Sequence, residues 1–541
     1  FPHLLPASIA IGYGVDGLTG ARRTIGAWAI LGVLAVYFTG VRLIGRTAAA
    51  AAAGLLTLHV IQVWFARYPN AEVVMQALLF GAILASARAH VDEDRFFAPV
   101  AAMLLGLLLF LRFDAVLGIA AIAAALVLLM LRGSWPRLSF VLTLACFALL
   151  AIPYMLGPLR AYAHLPIVWL THLKPWQYAA LLAAPAALAL ALRVAARRPA
   201  IAARMIVLLP IACIAVVWMA AIYAMYFREP GGKLTDYDAY ALRTFANYYF
   251  TVPALVAALI GYAIVARRAF WKDPGFILTV TIFSLFFFYK IRIWPDHFWM
   301  TRRFLPVILP GGLLLASAAA LGGVRAGPRN VRLLRVLIGV VFVGLLAMQY
   351  ARASRPLLAH VEYAGVIPKL EQLAGTIGTR DLLIVESRET DTHILALPLA
   401  YVYDRHVLVL STPRPDKPTF AAFLEWAGTR YDRVLFLGGG GTELLSSRWG
   451  VRAVATERFQ LPEYDAPRNA YPRFVRYKEF DYSLYEFTPP APADEDGWFD
   501  LDIGHRDDLH VLRFHAKEVI DGRTYRWTRA TSFVSVMPLH A

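Results

Sequence analysis

Apolar residues form long, closely spaced blocks over the first 350 residues of the chain, and short polar stretches separate them. A helix of about 20 apolar residues spans the hydrocarbon core of a bilayer, and the blocks are close to this length. The pattern therefore predicts a polytopic α-helical membrane domain over residues 1–350 with about 12 spans. These spans are placed at 24–43, 47–65, 72–89, 96–111, 115–131, 138–156, 177–192, 205–227, 249–266, 275–289, 304–322 and 333–350.

The pattern changes after residue 350. Residues 351–490 alternate strand-like runs such as DLLIVES with helical runs such as KPTFAAFLEWAGTR, which predicts a soluble α/β domain with short parallel strands. The run FLGGGGTELL in this region lacks the spacing of a phosphate-binding loop and predicts a tight turn before a helix. Residues 491–541 read as strands and turns, which predicts a β-rich segment, a truncated β-sandwich. Its Tyr525 and Trp527 are either sugar-stacking platforms or core aromatics.

The composition agrees with a membrane protein. Of the 541 residues, 59% are hydrophobic and 17% are charged, against roughly 45–50% and about 25% in soluble domains. The net charge of +16 does not indicate a nucleic-acid partner, because arginines in loops that face anionic lipid are a simpler explanation for it in a membrane protein. Cys146 and Cys213 both lie inside apolar blocks, so neither a disulfide framework nor a cysteine metal site is expected.

The loops between the predicted spans differ in charge. One alternate set (41–47, 88–95, 132–137, 193–204, 267–272 and 325–335) carries Lys and Arg more than twice as densely as the other (1–23, 66–71, 112–114, 157–176, 228–248 and 290–303). The denser set is expected in the cytoplasm. The longer polar loops and the C-terminal region then lie outside, which in a bacterium means the inner membrane with a periplasmic C-terminal domain.

The entry to the third span carries an unusual group of polar residues. Arg67, Tyr68 and Glu72 follow one another closely in ARYPNAEVV. An ionisable residue at the entry of a span is costly unless it is used. Glu72 is therefore a candidate to orient an acceptor, to bind a divalent metal or to support a catalytic base. The alternative is a carboxylate that only stabilises the N-terminus of its helix.

Arginines collect on the same predicted outer side. Arg302, Arg303, Arg112 and Arg67 all lie at ends of spans in loops that should be poor in cations. Guanidinium groups bind phosphate oxygens in bidentate fashion, and a phosphate reached from this side would belong to a lipid carrier. The alternative is that these arginines snorkel at helix ends.

Further polar residues are weaker candidates for the same pocket. Asp114 either joins the site or only pairs with Arg112. Asp236, Asp238 and Arg243 lie in KLTDYDAYALRTFANYYF, which reads as an amphipathic helix along the membrane surface. Its DYD run is not read as a metal motif. His3 and His297, the latter beside Asp296, are lone candidates.

Three segments resemble a known family. ARYPNAEVVMQALLFGAILA (66–85), the opening stretch 1–46 and TRRFLPVILPGGLLLASAAA (301–320) are similar to segments of the protein-mannosyltransferase and aminoarabinose-transferase superfamily. These are membrane glycosyltransferases of the type C fold, in glycosyltransferase families 39 and 83. The resemblance implies about 13 spans, of which the first, with a first outer loop carrying a catalytic Asp, would precede Phe1. In this comparison Glu72 matches the acidic residue of the second outer loop.

The resemblance also implies an activity. Such enzymes transfer a sugar, with inversion, from a polyprenyl-phosphate carrier to a lipid, glycan or protein acceptor of the cell envelope on the outer face of the membrane. The partners would be the polyprenyl-phosphate sugar, membrane lipid and the acceptor, and a divalent metal is the one cofactor considered. Two alternatives stay open: a non-catalytic scaffold for envelope assembly, and a transporter or flippase of lipid-linked sugar. The transporter predicts charges in the middle of spans, and the predicted spans are nearly free of charge.

Overall fold

The computed structural model describes residues 2–232, 234–291, 293, 299–322, 329–388, 392–412, 415–438, 450–464, 474–488, 499–506, 509–520, 523–530 and 533–536. From residue 499 onward it describes the backbone. The chain divides into two compact units, Phe1–His360 with Ala466–Pro472, and Val361–Asp465 with Arg473–Ala541. Each unit is described by itself.

The first unit is helical. Its described helices are α1 (Leu4–Ile44), α2 (Arg46–Leu58), α3 (Val60–Phe65), α4 (Ala71–His90), α5 (Phe97–Leu109), α6 (Ala115–Leu129), α7 (Leu138–Leu156), α8 (Arg160–Thr171), α9 (Pro175–Ala196), α10 (Pro199–Ile222), α11 (Asp236–Ala239), α12 (Ala241–Thr244), α13 (Val252–Ala269), α14 (Pro274–Tyr289), α15 (Ile308–Leu321) and α16 (Arg329–Leu358). Short 3₁₀ helices span Met130–Arg132, Phe270–Lys272 and Trp299–Arg303, and π-helical turns span Tyr223–Phe227 and Phe245–Phe250.

The helices confirm a polytopic membrane protein. Among the described residues, seven helical stretches are long and apolar enough to cross a bilayer: Leu4–Ile44, Ala71–His90, Ala115–Arg132, Leu138–Leu156, Pro199–Phe227, Val252–Lys272 and Asn330–Leu358. Shorter apolar helices occupy the remaining predicted blocks. Helices are expected at every block because lipid offers no partner to backbone N–H and C=O groups, so these must bond within the segment.

The N-terminal region differs from the prediction. Residues 1–23 were expected as an outer loop, but α1 already begins at Leu4. The segment LLPASIAIGYGV is apolar enough to be helical, and the departure from helical geometry is confined to Asp16 and Gly17. Gly17 has a φ of 53°, a conformation that glycine adopts without steric cost.

Helix α4 lies in the core of the first unit. It packs against α1, α5, α6 and α14, and most of its residues are buried, including Val73, Met75 and Phe80. Close approach depends on small residues: a Cβ added at Gly118 of α6 would lie 2.7 Å from a methyl group of Leu79. Because α4 is surrounded, a polar residue in its first turn is buried as well.

The second unit contains the predicted α/β layer. Strands β1 (Leu382–Val385), β2 (His406–Leu410) and β3 (Val434–Gly438) are parallel. Helix α17 (Val366–Thr376) and α18 (Leu397–Tyr401), which a π-turn at Thr392–Ala396 precedes, cover one face, and α19 (Lys417–Gly428) covers the other. The strands are buried on both faces, which explains why they read as continuous apolar runs.

The same sheet also has antiparallel strands. Strands β4 (Gly450–Tyr464) and β5 (Val475–Thr488) extend it beyond β3, and β9 (Phe533–Val536) pairs with β2, so the order is β4-β5-β3-β1-β2-β9. Strand β4 was not anticipated from the sequence. The helix predicted after the glycine run, at 442–449, lies outside the described residues.

A separate antiparallel sheet follows in the chain. Its strands are β6 (Phe499–Arg506), β7 (Leu509–Ile520) and β8 (Arg523–Ala530). Tyr525 and Trp527 lie on β8, and their side chains are outside the described part of the structure. The assignment of 491–541 to a truncated β-sandwich stays a prediction, as do the domain limits at 350 and 490.

Candidate functional site

Asn70 fixes the start of α4 and so the position of Glu72. Its Oδ1 accepts a hydrogen bond from the Val73 backbone N–H at 3.2 Å, and its Nδ2 donates to the carbonyl oxygens of Phe65 and Tyr68 at 2.5 and 2.8 Å. An asparagine at this position satisfies an N–H group that the helix leaves unpaired. Glu72 is therefore held in the first turn of α4.

The Glu72 carboxylate is fully buried, with 0% of the residue exposed. Its Oε1 accepts hydrogen bonds from Nη1 of Arg112 and from Nε of Arg302. Its Oε2 is also buried and has no hydrogen-bond partner among the described residues. One oxygen is thus held by two cations, and the hydrogen-bonding capacity of the other is unused among the described residues.

Arg112 joins two carboxylates. It lies in the short turn between α5 and α6, is 9% exposed, and reaches Glu72 with one nitrogen. Its Nε and Nη2 donate to the two oxygens of Asp114, both at 2.7 Å. This is the bidentate geometry in which guanidinium and carboxylate groups bind most strongly.

Arg302 and Arg303 approach from the 3₁₀ helix Trp299–Arg303. Nη1 of Arg303 donates to Oδ2 of Asp114 at 2.8 Å, while Arg302 binds Glu72. The guanidinium carbon of Arg302 lies 4.2 Å from the ring centroid of Trp299, and that of Arg303 lies 5.7 Å from the ring centroid of Phe287. The arginines are thus oriented by carboxylates and aromatic faces, the arrangement that favours Arg over Lys.

We call Glu72, Arg112, Asp114, Arg302 and Arg303 the charged cluster. Three guanidinium groups and two carboxylates leave a net charge of +1 on it. It collects residues from α4, from the α5–α6 turn and from the segment before α15, and sequence analysis had named all five. A buried site with excess positive charge suits an anionic ligand.

The electrostatics of the cluster follow from burial and pairing. Burial alone would raise the pKa of the Asp114 carboxyl, but the charge and hydrogen bonds of Arg112 and the charge of Arg303 outweigh it and lower that pKa. Burial lowers the pKa of Arg303, and the neighbouring charges of Arg112 and Arg302 act in the same direction, against Asp114 and Glu72. The neighbouring carboxylates therefore compensate the positive charge of Arg303 only in part, and a bound anion would stabilise it.

The described residues of the cluster do not suit a metal ion. No group of three or more His, Cys, Asp or Glu side chains converges anywhere in the described part of the chain. Both carboxylates of the cluster are bound to guanidinium groups, whose charge opposes that of a cation. No step of the chemistry is therefore assigned to a metal.

Arg67 and Tyr68 have their described contacts elsewhere. The guanidinium group of Arg67 donates to the carbonyl oxygens of Leu357 and His360, at 2.5 and 2.7 Å, and so binds the C-terminal end of α16. The ring of Tyr68 packs against that of Trp64 at 5.2 Å between centroids. The structure places neither of these contacts in the charged cluster.

His3 and the residues before α13 also have partners of their own. Nδ1 of His3 lies 2.7 Å from the hydroxyl of Tyr154. Asp238 is fully buried and accepts hydrogen bonds from the Ile291 backbone N–H at 2.8 Å and from the Thr235 hydroxyl at 3.0 Å. It therefore anchors the chain after α14.

Arg243 lies near the same anchor. Its Nη2 donates to the carbonyl oxygen of Arg228 at 3.1 Å, and its guanidinium carbon lies 4.8 Å from the ring centroid of Tyr240. Asp236 begins α11, and where a helix was predicted over 233–250 the structure has α11, α12 and the π-helical turn Phe245–Phe250, interrupted at Tyr240. Asp296 and His297 lie outside the described residues.

The same unit contains an apolar cavity of about 410 Å³. Its walls come from α10, α12, α13, α14, α15 and the two π-helical turns, and they include Phe245, Phe288 and Arg228. Phe304, which directly follows Arg303, packs on both of these phenylalanines, at 4.9 and 5.4 Å between ring centroids. Phe304 therefore packs on the cavity wall and is the chain neighbour of Arg303.

Sequence reasoning missed several residues that shape the site. Asn70 was recognisable, since Asn before an apolar helix with an acidic residue in its first turn is a start signal. Tyr162 of α8, whose ring stacks on that of Phe113 at 5.0 Å, and Trp299 carried no such signal. Their proximity to the cluster depends on how distant segments pack.

No family model and no curated protein match the chain. Two crystal structures of ArnT from Cupriavidus metallidurans are similar to it, one in the apo state and one bound to undecaprenyl phosphate. The sequence identities are 13% and 12% and the TM-scores 0.35 and 0.34, and in both cases 90% of this chain and 87% of the other chain are covered. At these values the similarity assigns no activity to this chain.

Proposed function

We propose that this protein is a membrane glycosyltransferase of the type C fold that transfers a sugar from a polyprenyl-phosphate carrier to an acceptor of the cell envelope, with inversion, on the outer face of the membrane. The observation that carries the proposal is the buried Glu72 carboxylate, with one oxygen bound by Arg112 and Arg302 and the other without a partner among the described residues. A buried carboxylate oxygen without a hydrogen-bond partner is costly, and a ligand that donates a hydrogen bond to it would offset that cost.

The arginines supply the phosphate-binding half of the site. When the bond between C1 of the sugar and the phosphate oxygen breaks, its electron pair stays on the leaving polyprenyl phosphate. Arg302 and Arg303 lie together on one short helix and share a net positive cluster. Fixed guanidinium groups at the place where negative charge develops lower the barrier of such a step.

Glu72 supplies the acceptor half. We assign its Oε2 to the hydroxyl or amine group of the acceptor, which donates a hydrogen bond to it and then attacks C1 from the face opposite the phosphate. The new bond forms at C1 as the bond to phosphate breaks, and the proton of the attacking group passes to the carboxylate. Attack from the opposite face inverts the configuration at C1.

The apolar cavity suits the isoprenoid chain of the carrier. It is bounded by aromatic and aliphatic side chains, and Phe304 connects its wall to Arg303. A volume of about 410 Å³ lies within the range of roughly 300–1,000 Å³ that small-molecule sites occupy. An apolar cavity whose wall contacts the chain neighbour of Arg303 would hold the isoprenoid chain while the phosphate binds the arginines.

The test measures transfer of labelled sugar from a polyprenyl-phosphate donor by the purified protein in lipid nanodiscs. We expect Glu72→Gln and Arg303→Ala each to lower the rate by about 10²–10³, and Arg303→Lys to restore only part of it, because lysine keeps the charge without the fork. Arg23→Ala is the matched control. Arg23 is an exposed arginine of the same unit, paired with Asp16, and its loss should leave the rate unchanged.

Binding of the donor separates this proposal from the scaffold and transporter alternatives. Glu72→Gln should still bind the donor, since the arginines remain. A wild-type protein that binds the donor but transfers no sugar to any envelope extract would contradict the enzymatic assignment. Unchanged transfer in both Glu72→Gln and Arg303→Ala would contradict the assignment of the site.

A further inference from the structure

Trp299 lies directly beside the charged cluster and has an exposed surface. It is the first residue of the 3₁₀ helix Trp299–Arg303, so its indole comes from the same turn as Arg302 and Arg303. The residue is 51% exposed. An exposed indole in such a place is available to a ligand of the cluster.

Arg302 connects the indole to the carboxylate. Its guanidinium carbon lies 4.2 Å from the ring centroid of Trp299, and its Nε binds Oε1 of Glu72. The indole is therefore one guanidinium group away from Glu72. Because Arg302 covers one face of the indole, a sugar on a phosphate bound to this guanidinium would meet the indole at its exposed edge and opposite face.

The chemistry of a glycosyl donor fits an aromatic surface. One face of a pyranose ring presents C–H groups, and the face of an aromatic ring carries the negative part of its quadrupole. In the transition state of glycosyl transfer, positive charge develops on C1 and the ring oxygen. An indole face attracts such a cation, so a platform at this place would act on binding and on rate.

Another tryptophan provides an internal comparison. Trp135, between the 3₁₀ helix Met130–Arg132 and α7, is also 51% exposed, and Arg193 lies over its ring at 5.3 Å. Tryptophans at membrane surfaces commonly serve as anchors, and a stack with arginine is compatible with that role. The two tryptophans differ in the arginine that covers the ring. Arg302 also binds the buried Glu72 of the charged cluster, whereas Arg193 is a residue of α9 and not of that cluster.

We propose that the exposed surface of Trp299 is the platform on which the transferred sugar lies, which makes Trp299 a residue that recognises the sugar rather than the lipid phosphate. This inference rests on the proposed function. It predicts that Trp299 contributes to the affinity for the lipid carrier only when the carrier bears a sugar.

The experiment compares two lipids on the full chain in nanodiscs. The probes are mannosyl-phosphoryl polyprenol and polyprenyl phosphate of equal chain length, and the readout is the Kd of each. The wild type should bind the mannosyl lipid more tightly than the bare lipid. Trp299→Leu should weaken binding of the mannosyl lipid about tenfold more than that of the bare lipid, and Trp299→Phe should keep most of the difference. Trp135→Leu should change neither Kd.

The other outcomes overturn the inference. If Trp299→Leu weakened binding of both lipids equally, Trp299 would be a positioning residue for Arg302. If it changed the Kd of neither lipid, Trp299 would be a surface anchor. A wild type that binds both lipids equally would contradict recognition of a hexose by this surface. If the wild type binds neither lipid, the proposed function itself fails, and that result is distinct from the first three.

Discussion

The guanidinium group of Arg112 binds Asp114, two residues along the chain, at 2.7 Å through two nitrogens, and uses its third nitrogen to bind Glu72, which is 40 residues away. A local pair and a long-range pair thus share one side chain. This arrangement makes Arg112 the residue that connects the α5–α6 turn to α4, and it sets the position of both carboxylates of the cluster.

Loss of Arg112 should destabilise the protein more than loss of Arg302. Arg112→Met leaves Glu72 and Asp114 with one guanidinium partner each, and breaking a buried pair in this way costs about 3–5 kcal/mol. Arg302→Met removes only one partner of Glu72, so its cost should be smaller. Thermal unfolding of the two variants in nanodiscs measures the order. In a double-mutant cycle, Glu72→Gln should reduce the cost of Arg112→Met, and strictly additive effects would contradict the coupling.

The cap of α4 should affect both stability and transfer. Asn70→Ala removes the acceptor for the Val73 N–H, which costs about 1 kcal/mol, and leaves the first turn that holds Glu72 less well defined. We expect a lower Tm and a lower rate of sugar transfer. Asn70→Ser keeps a capping oxygen and is the control: it should retain more of both properties than Asn70→Ala. Equal behaviour of the two variants would show that the cap is not what positions Glu72.

A buried carboxyl at the opposite end of the first unit should make stability depend on pH. Asp273, at the turn between α13 and α14, is 1% exposed, and its Oδ1 accepts the Phe276 N–H at 3.0 Å. Burial raises the pKa of Asp273 to about 7, and Asp92 adds to this, while the Phe276 hydrogen bond and Arg42 oppose it. The unfolded value is about 3.9.

A carboxyl with a raised folded-state pKa favours the folded state at low pH, and this contribution is lost as the pH rises from about 4 to about 7. Asp273→Asn never ionises and keeps a capping oxygen. At pH 8 we therefore expect Asp273→Asn to have a higher Tm than the wild type, corresponding to a gain of up to a few kcal/mol in the free energy of unfolding. At pH 4 the substitution should have little effect. Tm values measured across this range for both proteins provide the test, and parallel curves would contradict it.

The contact between α13 and α15 should tolerate no side chain at Gly261. A Cβ at this position would lie 1.8 Å from the carbonyl oxygen of Leu315, so the helix backbones would have to move apart. Gly261→Ala should lower the Tm by several degrees, and because α13 and α15 also line the apolar cavity, donor binding should weaken. Gly344→Ala in α16 is the control, since nothing lies within 4 Å of its added Cβ. It should be neutral or slightly stabilising, and an equal loss in both variants would refute this account.

Arg67 and Arg302 show how far charge at the end of a span can be interpreted. Both were predicted to bind the donor phosphate, because both lie at span ends on the same predicted side. Arg67 is five residues from Glu72 in sequence, yet it binds carbonyl groups at the end of α16, whereas Arg302 binds Glu72 across 230 residues. Sequence proximity is a poor guide to such contacts, since a guanidinium group binds whichever carbonyl or carboxylate the packing brings within its reach.

The sequence by itself determined the helical blocks, the presence of an α/β unit in the C-terminal part of the chain, and the charged residues that are candidates for a site. These follow from local causes: lipid requires backbone hydrogen bonds within each segment, and buried parallel strands require continuous apolar runs. Only the tertiary structure decided that Glu72, Arg112, Asp114, Arg302 and Arg303 meet, that Trp299 stacks on Arg302, and that Phe304 packs on the wall of a cavity. Those contacts depend on the packing of helices distant in sequence around α4, and no local pattern in the sequence specifies that packing.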